Sequence, residues 1–385
     1  MRYLVLGSGL MGRAAAFDLL RHEDTNELVL ADIDESKLNS VADFLNDSRV
    51  KIVVLDANNK TQVLEVMKGV DSVVACISYT LNFELTKAAI KSGANFCDLG
   101  GNNSVVQKQF TLNKEAEKAN ITVIPDCGLA PGVASIFVEN GASKLDEVEE
   151  IHIRVGGLPQ NPKPPLNYSL IFSVQGLTNE YIETVEVIRN GKLTKVEPLT
   201  EIEEIEFPEP FGKLEAFQTS GGTSTLPKTF LGKVKELDYK TIRYKGHCEK
   251  MKAILDIGFK SYDKVDFHGS MISPREFLET ILVKSLTHDD SKDVTLVRIE
   301  VIGFKDKKKV KISYQIIDYF DEENNLTSMM RMTSYPAAII ARMMAKGDIK
   351  KKGVVTQEYN VPSDLMLEEL RKRDVNIEYK EEELS

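Results

Sequence analysis

The residues best suited to chemistry fall into two groups. In the first, Gly7, Gly9 and Gly12 stand in G-x-G-x-x-G order directly after the apolar run 2–6. A second apolar run, 27–31, then ends on Asp32, twenty positions beyond Gly12. This spacing gives each residue a task in holding a dinucleotide. Gly7 permits the tight turn, Gly9 lets the backbone approach a pyrophosphate, and Gly12 lets the helix pack closely on the strand. Leu10 and Met11 open that helix, whose N-terminus would face the phosphates. Asp32 is suited to accept hydrogen bonds from the adenosine ribose. Asp32 and Asp34 would repel a 2′-phosphate, and no Lys or Arg follows until Lys37, so the expected cofactor is NAD rather than NADP. Ile33, Asp56 and Ser78, at the ends of later apolar runs, are further cofactor candidates.

The second group lies far downstream. His247 and Arg243 share the segment Thr241-Ile-Arg243-Tyr-Lys-Gly-His247, where a strand pattern passes into a helix pattern. His247 is either a group facing a cleft or the polar start of a surface helix. Just upstream, Thr219, Ser220 and Thr223 lie among glycines and offer several donors to a carboxylate, or else cap the next helix. Glu215 is a candidate partner for an ammonium group, or a surface carboxylate. Asp98 faces a substrate or a nicotinamide ribose, or is an N-cap; Asp126 is read first as a turn stabiliser. No Ser-His-Asp arrangement, His/Cys metal cluster or P-loop is present, so no metal is expected. Hydride transfer with a nicotinamide is the economical chemistry.

These residues need elements to position them. Apolar runs at 2–6, 27–31, 50–55, 71–77, 95–98 and 121–124 alternate with helical patterns. That alternation predicts a doubly wound parallel sheet, with ligands outside the carboxyl ends of its strands. After Pro131 the texture becomes α+β. A Pro-rich stretch (158–165) precedes a hairpin turn at Asn190-Gly191, a helix start at Ser273-Pro274, and paired strands at 294–303 and 310–320. The expected domains are 1–130 for the dinucleotide, 131–330 for substrate and dimerisation, and 331–385 as a helical C-terminal segment. Pattern alone leaves open which domain this last segment completes.

Length and composition set outer limits. The 385 residues suit two domains, and a net charge of −10 argues against nucleic-acid binding, which needs clustered Lys and Arg. No apolar run approaches the roughly 20 residues of a membrane span. Four scattered cysteines and a first strand that begins at once, without a leader pattern, predict a reduced, soluble, cytoplasmic protein.

Taken together, these segments resemble the saccharopine dehydrogenase-like family, and within it the lysine 6-dehydrogenase subgroup. The resemblance rests on Gly7-Ser-Gly-Leu-Met-Gly12, Leu30-Ala-Asp-Ile-Asp34, Asp98-Leu-Gly-Gly101, Gly128-Leu-Ala-Pro-Gly132 and Val155-Gly-Gly-Leu-Pro159. Most of its specificity comes from 214–225 and 240–250. It implies a Rossmann domain holding NAD, a second α+β domain with substrate contacts and a homodimer surface, and a C-terminal segment returning to the Rossmann domain. The implied reaction is oxidative deamination of the ε-amine of L-lysine. Hydride leaves only from a carbon bearing a neutral amine, so a base is required. His247 is the first candidate and Asp98 the rival. Arg243 is the expected partner of the substrate α-carboxylate, with Thr219, Ser220 and Thr223 either completing the grip or touching the nicotinamide amide, and Glu215 on the α-ammonium or at the surface. The alternatives are a saccharopine or carboxynorspermidine reductase of the same family, or a non-catalytic NAD sensor.

Overall fold

Runs of Val, Ile, Leu and Ala near the start of the chain form parallel strands in a computed structural model, which describes residues 1–287 and 292–384. These strands are β1 (Arg2–Leu6), β2 (Glu27–Asp32), β3 (Val50–Val54), β4 (Ser72–Ala75), β5 (Asn95–Asp98) and β6 (Thr122–Ile124). They lie in the order β3-β2-β1-β4-β5-β6, so the chain reverses direction between β1 and β4. This is the doubly wound arrangement, and its ligand crevice lies at that reversal, beyond the carboxyl ends of the strands. Helix α1 (Leu10–Leu20) follows β1, and α2 (Glu35–Leu45) follows β2. The core on one side of the sheet includes Leu4, Leu6, Val29, Val73, Phe96 and Val123, each at most 2 % exposed.

Two compact units result: Met1–Asn140 with Met330–Val375, and Gly141–Met329 with Asn376–Ser385. The first unit takes in most of helix Val133–Ala142.

The second unit is built on β7 (Glu147–Pro159), β8 (Val185–Arg189), β9 (Lys192–Val196), β10 (Glu203–Phe207), β11 (Gly212–Gln218), β12 (Glu236–Arg243), the small hairpin β13 (Val265–Phe267) and β14 (Ser270–Ile272), β15 (Asp293–Lys305) and β16 (Lys308–Tyr319). The main path runs β10-β11-β12-β7-β15-β16, with β8 and β9 branching from β12. Only the β12–β7 pair is parallel along this path. The β8–β9 turn is made by Asn190 and Gly191, both at positive φ, as its sequence requires. Helices α3 (Val174–Glu180), α4 (His247–Ile254) and α5 (Pro274–Leu286) pack together through Leu177, Met251, Leu278 and Leu282. Ser273 caps α5 by accepting from the Glu276 N–H.

The expectation of a helical segment over 331–385 requires correction. Gly353–Val354 adds a seventh parallel strand beside β6, and Val354 joins the core of that sheet. Ile377–Glu383 is a strand on the edge of the second sheet, paired with β16. Its Glu and Lys side chains read as a solvated helix, but they form cross-strand pairs such as Lys305–Glu381 and Lys308–Glu383. Charges of this kind also protect an exposed sheet edge. The principal C-terminal helix starts at Ser328, ahead of the expected boundary at 331, and runs to Lys346.

Candidate active site

In the first unit the glycines form a cradle whose geometry tolerates no side chain at two positions. Gly7 has φ +98°, and a Cβ there would lie 2.6 Å from the Cys76 carbonyl oxygen. A Cβ on Gly12 would lie 1.8 Å from the Gly7 carbonyl oxygen. Gly9, the N-cap of α1, has open space where its Cβ would project and offers no side-chain cap. The first amides of α1, including those of Leu10 and Met11, are therefore left for a phosphate, as pyrophosphate binding needs. Asp32 ends β2; its carboxylate accepts from the Ser8 N–H at 2.6 Å and the Asp34 N–H at 3.0 Å. Desolvation pushes that carboxyl up, but these amide bonds prevail and hold it below the ordinary range. An ionised Asp32 locked against the glycine turn suits a ribose diol. The residues present fit a dinucleotide.

The side chains of the other cofactor candidates are exposed, apart from Asp98. Leu10 and Ile33 expose their apolar side chains, at 54 % and 67 %. Asp56 is exposed and shapes its own turn by accepting from the Asn58 backbone and side chain. Ser78, also exposed, contacts the Thr80 hydroxyl at 2.9 Å. Asp98 is different: it is fully buried, accepting from Gln109 Nε2 at 2.7 Å and from the Gly100 and Asp126 amides. Burial raises its carboxyl pKa. As placed, Asp98 ties the end of β5 to the next helix and has no outward face for substrate.

The second unit gathers Arg243, His247, Tyr168, Tyr181 and Glu180. Arg243 ends β12 and is 3 % exposed. Its Nε donates to Tyr181 Oη at 3.0 Å and its Nη1 to the Ile242 carbonyl at 2.9 Å. The guanidinium carbon stands 4.7 Å from the Tyr168 ring centroid. Tyr181 Oη also lies 3.0 Å from His247 Nε2, and His247 Nδ1 lies 3.0 Å from the Leu166 carbonyl. A carbonyl only accepts, so Nδ1 carries the proton and Nε2 accepts from the Tyr181 hydroxyl. The chain of donation is Arg243 to Tyr181 to His247 to Leu166.

This placement changes the role expected of His247. The ring is 1 % exposed, and desolvation, reinforced by the Arg243 charge, lowers its pKa to about 3. With both ring nitrogens engaged, the neutral imidazole here braces Tyr181. Glu215 is likewise occupied: it accepts from the Gly246 N–H at 2.8 Å and the Cys248 N–H at 2.7 Å, capping α4. Thr219 Oγ1 meets Thr241 Oγ1 at 2.7 Å, and Ser220 donates to the Asn179 carbonyl at 3.3 Å. Thr223 is buried in the same loop, where a Cβ on Gly222 would strike the Tyr239 ring at 2.4 Å. The hydroxyl loop thus packs on β12 through Tyr239 and Thr241.

The residues absent from the sequence-based candidates are Tyr168, Tyr181 and Glu180. No motif marks them, and they reach Arg243 and His247 from a segment more than sixty positions upstream. Glu180, intermediate in exposure, has its carboxyl pKa pushed up to about 7 by desolvation, with the Arg243 charge working against it.

A doubly wound sheet with a glycine cradle, joined in sequence to an α+β unit bearing a buried guanidinium, marks a two-domain dinucleotide-binding protein. The chain belongs to the saccharopine dehydrogenase family: residues 3–124 match its NADP binding domain and 128–375 its C-terminal domain. It is 24 % identical over 299 residues to the NADP-dependent, L-glutamate-forming saccharopine dehydrogenase of Saccharomyces cerevisiae, covering 74 % of this chain but 65 % of that enzyme. It is 20 % identical to the carboxyaminopropylagmatine dehydrogenase of a Synechocystis species, over 95 % of this chain and 94 % of that one. The apo structure of L-glutamate-forming saccharopine dehydrogenase from Saccharomyces cerevisiae shares the fold, with a TM-score of 0.82 at 18 % identity and 99 % coverage of both chains. No helix among the described residues is long and apolar enough to cross a membrane.

Proposed function

We propose that this protein is an NAD-dependent dehydrogenase that oxidises the ε-amine of L-lysine to the 6-semialdehyde and releases ammonia. The semialdehyde then closes on its own α-amine to piperideine-6-carboxylate. The observation that carries the substrate reading is Arg243. Three arginines of the second unit are buried: Arg154, Arg243 and Arg275. Arg154 pairs with Glu203 and Asp238, and Arg275 with Glu279. Arg243 has no carboxylate within ion-pair distance among the described residues; its bonds go to a phenol and a carbonyl. A buried guanidinium without a counter-ion calls for an anionic ligand, and its planar fork suits a carboxylate. One such guanidinium favours a substrate with one carboxylate.

Asp32 supports NAD over NADP, since its ionised carboxylate would oppose a 2′-phosphate. With NAD bound, the chemistry supplied is acceptance of a hydride from the amine-bearing carbon. What this chain's residues contribute is grip and orientation. His247 fixes Tyr181, Tyr181 fixes the guanidinium, and Tyr168 covers its face. In this reading neither His247, whose ring nitrogens are both engaged, nor Asp98, which is fully buried, takes the amine proton. The neutral fraction of the substrate amine therefore limits the rate, which is expected to rise about tenfold per pH unit below the amine pKa of roughly 10.4.

A second reading, oxidation of saccharopine or of a carboxyalkylated polyamine such as carboxynorspermidine, draws support from the near full-length match to the Synechocystis protein. An assay of NADH formation across L-lysine, ornithine, saccharopine and carboxynorspermidine, repeated with NADP and from pH 7 to 10, separates the two. The expected result is turnover with L-lysine and NAD, climbing with pH. Faster turnover of saccharopine or of the polyamine derivative would overturn the choice, and NAD binding without turnover on any amine would mark a sensor.

A further inference from the structure

Glu180 is an odd side chain in a well-anchored segment. Thr178 donates to Glu279 at 2.6 Å, Asn179 accepts from Arg275, and Tyr181 is bonded to both Arg243 and His247. The backbone of Glu180 is pinned as well, its carbonyl accepting from the Ser220 N–H at 3.0 Å. Its carboxylate alone has no partner among the described residues, although Arg243, Tyr168, Tyr181 and Tyr239 are all near enough to feel its charge. Tyr181, the next residue, bonds Arg243, and Ser220, held by the Glu180 carbonyl, follows Thr219, whose hydroxyl meets Thr241 two positions before Arg243 on β12. Glu180 and Arg243 thus belong to one cluster, with Arg243 buried, Glu180 half-buried and neither paired with the other. Holding opposite charges this way is costly unless a third party satisfies both.

A molecule that does so must carry an anion and a cation close together. We propose that Arg243 and Glu180 form a head-group site for an α-amino acid zwitterion, with the guanidinium on its α-carboxylate and the Glu180 carboxylate on its α-ammonium. This rests on the reading of the substrate as an amino acid and deepens it. It assigns the ammonium to a residue other than Glu215, whose two oxygens are taken by α4. It also sets the recognition rule. A simple carboxylic acid leaves Glu180 uncompensated, and a diamine leaves Arg243 so, whereas an L-α-amino acid satisfies both. The rest of the substrate then projects away from this pair, and its ε-carbon is the part left free for oxidation.

The test uses L-norleucine, which has lysine's head group and carbon chain but no ε-amine, and hexanoate, which lacks the α-ammonium. Both are titrated calorimetrically into the full-length protein, with and without NAD. Wild type is expected to bind norleucine at least tenfold more tightly than hexanoate. Glu180→Gln is expected to remove that difference by weakening norleucine alone, with hexanoate held within twofold. Glu180→Asp, which keeps the charge, should retain more of the norleucine affinity than Glu180→Gln. Equal loss for both ligands in Glu180→Gln, no loss for either, or a wild type that does not distinguish them would overturn the proposal. The lysine reading fails separately: absence of NADH formation from L-lysine, with the norleucine pattern intact, sinks that reading and leaves the head-group site standing.

Discussion

Arg243 sets a conflict between stability and binding at the scale of a single residue. A charge held away from water with no counter-ion costs free energy that the folded protein must absorb elsewhere. Arg243→Met keeps a flexible apolar stem of similar reach and discards the charge. The melting temperature is therefore expected to stay level or rise, while KM for L-lysine rises on the order of 10- to 100-fold, as expected for loss of a charge-assisted hydrogen bond of about 1.5–3 kcal/mol. A melting temperature that falls while KM is unmoved would show that the guanidinium serves the fold through Tyr181 instead. Arg243 and His247 were legible as candidates because their types and their place between strand and helix are visible in the sequence. Their division of labour was not. His247 looks like a base until the Leu166 carbonyl and the Tyr181 hydroxyl occupy its ring, and neither partner carries a signal in its residue type or spacing. Asp98 shows the same limit, since its match to Gln109 depends on how the helix after β5 packs.

At the scale of elements, α4 depends on a strand for its start. Its N-cap is Gly246, at φ +84°, which has no side chain to satisfy the first amides. Glu215 supplies both missing acceptors from β11, where it sits opposite Arg243 in the β11–β12 register. A carboxylate there also meets the positive end of the helix. Glu215→Ala is expected to cost about 1–2 kcal/mol, the usual scale for a lost cap, and to lower the melting temperature by a few degrees. KM for L-lysine should move far less than in Arg243→Met. Raised KM with unchanged melting would return Glu215 to the substrate. Asp293 does the same for helix Ser328–Lys346, accepting from the Ser328 and Met329 amides. That long-range cap holds the helix start at Ser328, ahead of the boundary at 331 drawn from the sequence. The parallel strands were legible because burial on both faces demands unbroken apolar runs. Gly353–Val354 was not, because two residues make no period and their place is decided by β6 beside them.

For the whole molecule, acid should act on the two units unequally, and the signs can be worked out group by group. In the first unit His22 is held neutral, its pKa lowered to about 4 by desolvation and by Arg342, and its Nε2 accepts from Arg373. A group whose folded pKa is depressed binds its proton only on unfolding, so stability is lost as pH falls from about 6.5 toward 4. Asp98, raised by burial, offsets part of this. In the second unit His247 pulls the same way as His22, but several groups oppose it. Glu180 is raised to about 7 and Asp293 to about 6, both mainly by desolvation. His152 is also raised: burial works against it, but its bond to Asp238 prevails. Groups with raised pKa bind protons preferentially in the folded state, so their contribution to stability grows as pH falls from 7 toward 5. The first unit should therefore weaken over that range while the second holds. Hydrogen exchange read by mass spectrometry at pH 7 and pH 5, corrected for intrinsic exchange, is expected to show amides of β1, β2 and β4 losing protection by about tenfold or more, the effect of one pKa unit of unbalanced shift. Amides of β7, β12 and β15 should change by less. In Glu180→Gln, which cannot gain that proton, the second unit should lose part of its resistance. Equal loss in both units of the wild type would show that the raised groups of the second unit do not offset His247.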